Sequence, residues 1–505
     1  MTSGLGKKVT SGAVWVTFSK LFGQAVSFVV GMVLARLLTP DDYGTVALLS
    51  IFFAIAGSLA SCGFGNALVQ KKEAGDIEFN SVFYTSVAMS LVVYAILFFA
   101  APYIADFYHT PVLCSVTRVS AIQLVLSAIN SIQGAELARK MLFDKQFKIS
   151  MITCIVSAVF GIVFALMGWG VWALVWASLL TSISGIMASW TIVAWRPKFM
   201  YSFSAVKGLF SYGWKLSLSG MIHTTYANLY GFLVGRVYTP ADLAFVNKGR
   251  AMPNLLMSTI DGTILGVSFP ALAKMQDDKV RLREAMRRMI KCSTFLVFPL
   301  LTGLCLCARP LIVLLYGQKW EPAIPYVMVA CFSFALVPFN SINTSAISAI
   351  GRSDVYLLLE IIKKGMGLAL MFLSIKHGVL TFMMTMAFVM SPVAVMVNTF
   401  ANGRLLKYNL GMQLMDIAPS ALLSGIMAVV VLGVRYAIGP VLRIVGEPHL
   451  AMAFDLVASA FVGVICYLGL ASVFKLQAFK EYVKASLPYL NGKLPKVAGF
   501  LERLA

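Results

Sequence analysis

The stretch VLARLLTPDDYG at Val33–Gly44 returns as FLVGRVYTPADLA at Phe232–Ala244. Arg36, Thr39, Pro40 and Asp42 map onto Arg236, Thr239, Pro240 and Asp242 at a constant offset of 200 residues. Both copies fall where one long apolar segment ends and the next begins. A constant offset between equivalent junctions points to an internal duplication, and two like halves in a membrane chain suggest a transporter with a pathway between them. Each copy reads locally as a helix start: Thr39 as N-cap, Pro40 in the first turn, Asp42 at N3 facing the positive helix end. Thr239, Pro240 and Asp242 repeat it. Arg36 and Arg236 close the preceding helices, each within reach of its neighbouring Asp. The four charged residues are therefore expected to cap hairpin tips, with substrate contact by the two Arg at the outer mouth as the functional alternative.

Composition places these junctions in a membrane. Apolar residues make up 59% of the chain and charged residues 12%, half the charged share of an ordinary soluble domain. Apolar stretches of roughly 20 residues recur throughout, the length that crosses ~30 Å of hydrocarbon. No alternating short strands suggest a β-barrel. The expectation is an all-α polytopic integral membrane protein of about 14 transmembrane helices. The spans fall at about 12–37, 43–69, 81–105, 114–137, 149–168, 171–194, 211–236, 242–270, 292–316, 322–349, 355–376, 379–401, 416–438 and 451–473. The polar lead with Lys7 and Lys8 runs into the first apolar segment without a cleavage site, so that segment reads as a retained helix.

The net charge of +20 is not that of a nucleic-acid binder, because the basic residues gather in alternate loops. Lys71 and Lys72, then Arg139, Lys140, Lys145 and Lys148, then Arg196, Lys198 and Lys207, lie on the side of the N-terminus. So do Arg404, Lys407 and the C-terminal tail, whereas Lys319, Lys376 and Arg443 are among the few basic residues opposite. This positive-inside bias places both termini in the cytoplasm. The loop at 271–291 reads as an amphipathic inner-face helix, with Leu282, Met286 and Ile290 on its apolar side. The duplication then divides the chain into an N-terminal six-helix lobe (1–200) and a C-terminal six-helix lobe (201–405). Two extra helices (406–475) and a basic cytoplasmic tail (476–505) follow. The eight Cys are scattered, which suggests neither a disulfide framework nor a metal site.

Ionisable residues at membrane depth carry the functional reading, since each costs roughly 2.5–3.5 kcal/mol to insert without a partner or a wet cavity. The candidates are Lys20 in the first span, His223 in the seventh, and Lys248 and Arg250 in the eighth. Asp261 lies deeper in the eighth span as a proton or cation site, or as a partner for a basic residue. Glu360 and Lys364 form an i,i+4 pair, while Lys215, Lys363 and Lys364 read as interfacial snorkels and Arg118 as an outer-surface residue. Cations outnumber anions, as suits a wet interior that accepts an anionic phosphate or pyrophosphate headgroup.

Several stretches resemble a known family: SGAVWVTFSKLFGQAVSFVVGMVLARLLTPDDYG (11–44), GFGNALVQKKE (63–73), FPALAKMQDD (269–278) and YGQKWEPAIPYV (316–327). They are similar to the Wzx-type polysaccharide flippases of the multidrug/oligosaccharidyl-lipid/polysaccharide exporter superfamily, nearest to exporters of colanic-acid and teichuronic-acid type. The resemblance implies two six-helix lobes around a basic cavity, alternating access, and an undecaprenyl-pyrophosphate-linked oligosaccharide as substrate. It further implies a bacterial cytoplasmic (inner) membrane location, membrane lipids and polysaccharide polymerase machinery as partners, no cofactor, and coupling to H+ or Na+. FVNKGRAMPNLL (245–256) keeps the family's look and adds Asn247 to Lys248 and Arg250. Related lipid II flippases place essential cations in the first and eighth helices, where Lys20, Lys248 and Arg250 are the nearest equivalents. Many relatives carry Asp two residues after the Asn of the seventh span. Here Asn228 is followed by Leu229 and Tyr230, so no carboxylate role transfers.

Two rival readings remain at the level of sequence. A multidrug/cation antiporter of the same superfamily needs buried carboxylates, which the first six spans nearly lack. A membrane glycan polymerase or ligase needs a large outer catalytic loop, and the outer loops are short. No phosphate-cradling Gly-rich loop suggests ATP hydrolysis.

Overall fold

The computed structural model describes residues 22–71, 74–444 and 448–491, and among them every regular element is helical. Two compact units emerge, Met1–Ala244 and Phe245–Ala505. Among the described residues, eleven helical stretches are long and apolar enough to cross a membrane, so the protein is multi-pass. The other three expected spans fall on the helices at Phe22–Leu37, where the described residues begin, Phe203–Val237 and Ser353–Ser374.

Unit 1 comprises α1 (Phe22–Leu37), α2 (Pro40–Leu48), α3 (Ser50–Ser61), α4 (Phe64–Gln70) and α5 (Asp76–Phe107). It continues with α6 (Val112–Ser120), α7 (Ile122–Arg139), α8 (Phe143–Leu166), α9 (Val171–Ile192) and α10 (Phe203–Val237). α8 lies along α9, and α10 packs on α3, α4 and α5. The α3–α4 break turns through Cys62 and Gly63, both at positive φ. Gly63 sits so close to α10 that a Cβ there would stand 2.3 Å from the Gly213 carbonyl oxygen, an approach only glycine permits.

α11 (Pro240–Ala273) begins in unit 1 and continues into unit 2. Unit 2 then holds α12 (Lys279–Leu306), α13 (Ala308–Tyr316), a 3₁₀ turn, α14 (Ile324–Ala335), α15 (Val337–Ala349) and α16 (Ser353–Ser374). α17 (Val379–Met384) passes through a π-helical turn, Thr385–Met390, into α18 (Ser391–Leu406). α19 (Leu410–Ile444), α20 (Pro448–Val473) and α21 (Gln477–Asn491) complete it.

The separate amphipathic helix expected over 271–291 does not form. α11 runs to Ala273, and from Lys279 the basic segment and the ninth span are one continuous helix. Its apolar face does not lie against lipid. Leu282, Met286 and Ile290 are fully buried in a core with Leu272, Phe339, Ile342 and Tyr408. An apolar stripe at helical spacing has the same pattern whether it meets lipid or protein. The described part of the tail behaves likewise: α21 seats Phe479 and Val483 in a cluster with Phe295, Met427 and Tyr467.

Candidate functional site: charged groups at membrane depth

The repeated motif folds as two nearly superposable caps. The Asp42 carboxylate accepts from the Thr39 N–H at 2.9 Å and its hydroxyl at 2.6 Å, and the Asp42 N–H donates to Thr39 Oγ1 at 3.2 Å. For Asp242 and Thr239 the same three distances are 3.1, 2.7 and 3.2 Å. These capping boxes satisfy N–H groups that a helix start leaves without partners. The copies also touch, for a Cβ on Gly44 would lie 1.8 Å from the Pro240 carbonyl oxygen. Arg236 does not pair with Asp242. It reaches His109 Nε2 at 3.1 Å and lies over the Phe107 ring at 4.9 Å, where Phe107 stacks on Phe232. Arg36 is exposed on the last turn of α1.

Lys248 stands eight residues into α11, ~12 Å from its start. Its Nζ lies 5.0 Å from the Tyr316 ring and 5.5 Å from the Trp320 ring, and Trp320 is fully buried. Two electron-rich faces thus offset part of the ammonium's desolvation. Gly249 makes this seat possible, since a Cβ there would come within 2.6 Å of Tyr326 Cβ. Arg250 lies over Phe334 at 5.8 Å and lines a cavity of about 20 Å³ with Ser333 and with Met386 of the π-helical turn. Asn247 is half-buried on the same stretch. α11 therefore brings Asn247, Lys248 and Arg250 together in unit 2. His223 is exposed on α10 of unit 1, and Lys20 lies outside the described residues. Asn228 Nδ2 donates to the Thr224 carbonyl of its own helix at 2.8 Å.

Asp261 lies 12 residues, ~18 Å, before the end of α11, with Ser341 of α15 beside its carboxylate. The reading of Lys363 as an interfacial snorkel needs correction. Lys363 is buried and pairs with Glu360 one turn before it. In unit 1, Arg118 folds back on α5, its Nε donating to the Phe98 carbonyl at 3.3 Å and its guanidinium 4.4 Å from the Phe98 ring.

Sequence reasoning missed the most elaborate polar cluster. Asp416 at the start of α19 takes a bidentate bond from Arg287 at 2.7 and 2.9 Å, the Lys291 ammonium at 3.3 Å and the Tyr408 hydroxyl at 2.8 Å. Its side chain is 4% exposed. Nearer the other end of α19, Arg435 donates to Asp455 at 2.6 Å and to the Leu306 carbonyl at 2.7 Å. Beside that pair lies an apolar groove of about 420 Å³ lined by Leu300, Leu304, Val431, Val464 and Leu468, among others.

With this geometry in view, the comparisons with known proteins are informative. Teichuronic acid biosynthesis protein TuaB of Bacillus subtilis is 23% identical over 92% of this chain and 95% of its own length. Succinoglycan biosynthesis transport protein ExoT of Rhizobium meliloti is 25% identical over 69% of this chain and 71% of its own. Among solved structures, the lipid II flippase MurJ in an inward closed conformation superposes with a TM-score of 0.71 at 12% identity, covering 91% of this chain and 98% of that one. That likeness establishes the polytopic helical fold. A family model for polysaccharide biosynthesis proteins matches residues 33–325, from the first copy of the repeated motif to the seat of Lys248. Over more than half its length, then, this multi-pass membrane chain conforms to that model, and it belongs to the polysaccharide biosynthesis protein family.

Proposed function

We propose that the protein is a transporter that flips undecaprenyl-pyrophosphate-linked oligosaccharide units across the bacterial cytoplasmic membrane. It would move them from the inner to the outer leaflet by alternating access, with both termini cytoplasmic, for assembly of a surface polysaccharide. The family match over residues 33–325 carries this reading. Relatives named for teichuronic acid biosynthesis and succinoglycan transport support it, as does a fold shared with a lipid II flippase.

The chemistry fits the task. A polar glycan and a pyrophosphate must cross while the prenyl tail stays in hydrocarbon. Lys248 and Arg250 supply positive charge at depth, and the apolar groove along α12, α19 and α20 offers an isoprenoid chain a matching surface. The membrane potential contributes about 2.3 kcal/mol per charge per 100 mV, so an uncompensated dianion gains ~4–5 kcal/mol on moving outward. Asp261 would carry coupling to H+ or Na+. Membrane lipids and the polymerase that takes up the flipped unit are the expected partners.

Deleting the gene and profiling polyprenyl-linked oligosaccharides by mass spectrometry tests the reading. One species should accumulate in its absence and clear on re-expression. An unchanged pool, while the surface glycan is still being made, would refute it and turn attention to multidrug/cation antiport.

A further inference from the structure

The apolar groove of unit 2 has two unlike ends. It is lined chiefly by α12, α19 and α20, and none of the described residues lining it is charged. From Leu456 to Leu468 along α20 it runs for ~18 Å. That is close to the hydrocarbon depth of one leaflet, half of ~30 Å.

Rings floor one end. Phe295 and Tyr467 line the groove there, and the Tyr467 hydroxyl donates to the Phe295 carbonyl at 2.9 Å. Behind them α21 seats Phe479 and Val483. The rings of Phe479 and Tyr482 are centred 6.2 and 5.9 Å from that of Phe295. The cations Arg288 and Lys291 lie one to two turns beyond this floor on α12, held by Glu481 and Asp416. The opposite end is polar. Leu306 and Ser459 line the groove there. Arg435 Nη1 donates to the Leu306 carbonyl at 2.7 Å, and the Ser459 hydroxyl donates to Asp455 Oδ1 at 3.4 Å. Arg435 and Asp455 are joined at 2.6 Å, so the pair forms the rim. A guanidinium carries five N–H donors. Two are engaged here, and 28% of the Arg435 side chain is exposed.

We propose that this groove is an exit site, which holds a single-chain polyprenyl phosphate lipid in the outer-leaflet orientation, its phosphate on Arg435 and its tail running inward to the α21 floor. The polarity follows from the two ends. A lipid in the inner-leaflet orientation would set its charged head against buried rings, where an unpaired charge is strongly disfavoured. In the reverse orientation the tail meets the rings, and the phosphate meets the remaining guanidinium N–H groups in charge-assisted bonds. A single groove suits one chain, whereas a glycerophospholipid has two. Asp455 positions Arg435 and also repels phosphate, which favours release over storage. The identity of the lipid, and which end faces outward, rest on the transport reading above.

The test is photolabelling of the purified full-length protein in phosphatidylcholine nanodiscs, read by peptide mass spectrometry. The probe is geranylgeranyl phosphate with a diazirine on its terminal isoprene unit. Labels should concentrate on Phe295–Pro299 and Tyr467–Leu468, near the floor. Unlabelled geranylgeranyl phosphate should displace the probe, and phosphatidylglycerol should not. Arg435→Gln should weaken binding about tenfold, and Asp455→Asn should tighten it by roughly threefold or more. A gain in affinity cannot come from misfolding. Labels on Leu306–Leu311 and Leu456 instead would reverse the polarity and overturn the proposal, as would absence of labelling in the groove. So would displacement by phosphatidylglycerol, which would make the groove a phospholipid site, or affinities unchanged in both variants. The assay involves no glycan and no flipping. If labelling is as expected while the glycan lipid stays unflipped, the transport reading fails alone. If flipping proceeds with reversed labelling, only the exit site fails.

Discussion

Buried polar groups in two regions of the molecule, the middle of α5 and α9 and the junction of α15, α18 and α19, bond over different ranges. In unit 1, Ser90 is fully buried and its hydroxyl donates to the Val87 carbonyl of its own helix at 2.8 Å. Thr181 does the same to Ala177 at 2.6 Å. Such bonds travel with the helix and hold nothing else in place. In unit 2, Asn343, Asn402 and Gln413 bond across α15, α18 and α19, and Asp416 ties α19 to α12. A local hydroxyl bond tolerates helix movement, whereas an amide or ion pair between helices resists it. On this comparison α19 is an integral part of unit 2 and not an appendage, even though it lies beyond the second repeat.

Unfolding measurements on the purified protein can break or sharpen that contrast. The largest effect is expected for Asp416→Ala, which leaves Arg287 and Lys291 without their carboxylate and should destabilise by ~3–5 kcal/mol. Asn343→Ala removes the hub of the interhelical amide bonds and should lose about 1–3 kcal/mol. Thr39→Ala and Thr239→Ala should each lose ~1 kcal/mol, and equally, because their caps match within about 0.2 Å. Ser90→Ala should stay within about 0.5 kcal/mol of wild type. If Ser90→Ala proved as damaging as Asn343→Ala, the contrast between local and interhelical bonds would collapse.

How much of this could be read from the sequence depends on range. The capping boxes were legible because Thr39, Pro40 and Asp42 act within one turn, and their repeat at Thr239 confirmed the pattern. The helical segments were legible from apolar length alone. α12 was misread because Leu282, Met286 and Ile290 form the same stripe against lipid or against Phe339 and Ile342, and no local signal separates the two. The interhelical amide bonds left a trace: Asn398 and Asn402 recur at i,i+4 in an otherwise apolar span, as Asn340 and Thr344 do in another. Their mutual pairing, and that of Arg287 with Asp416 129 residues away, is a tertiary fact. Lys248 and Arg250 were found as charges at depth, but their aromatic seats on Tyr316, Trp320 and Phe334 were not.

The central claim is that this chain moves a lipid-linked oligosaccharide across a bilayer. The most direct measurement reconstitutes the purified protein into vesicles that carry the cell's polyprenyl-pyrophosphate-linked oligosaccharide in both leaflets. A membrane-impermeant glycan oxidant is then added outside. The account predicts that the inner-leaflet glycan becomes oxidised only when the protein is present, and more slowly with Lys248→Met and Arg250→Met combined. An inner-leaflet pool equally protected with and without the wild-type protein would contradict it.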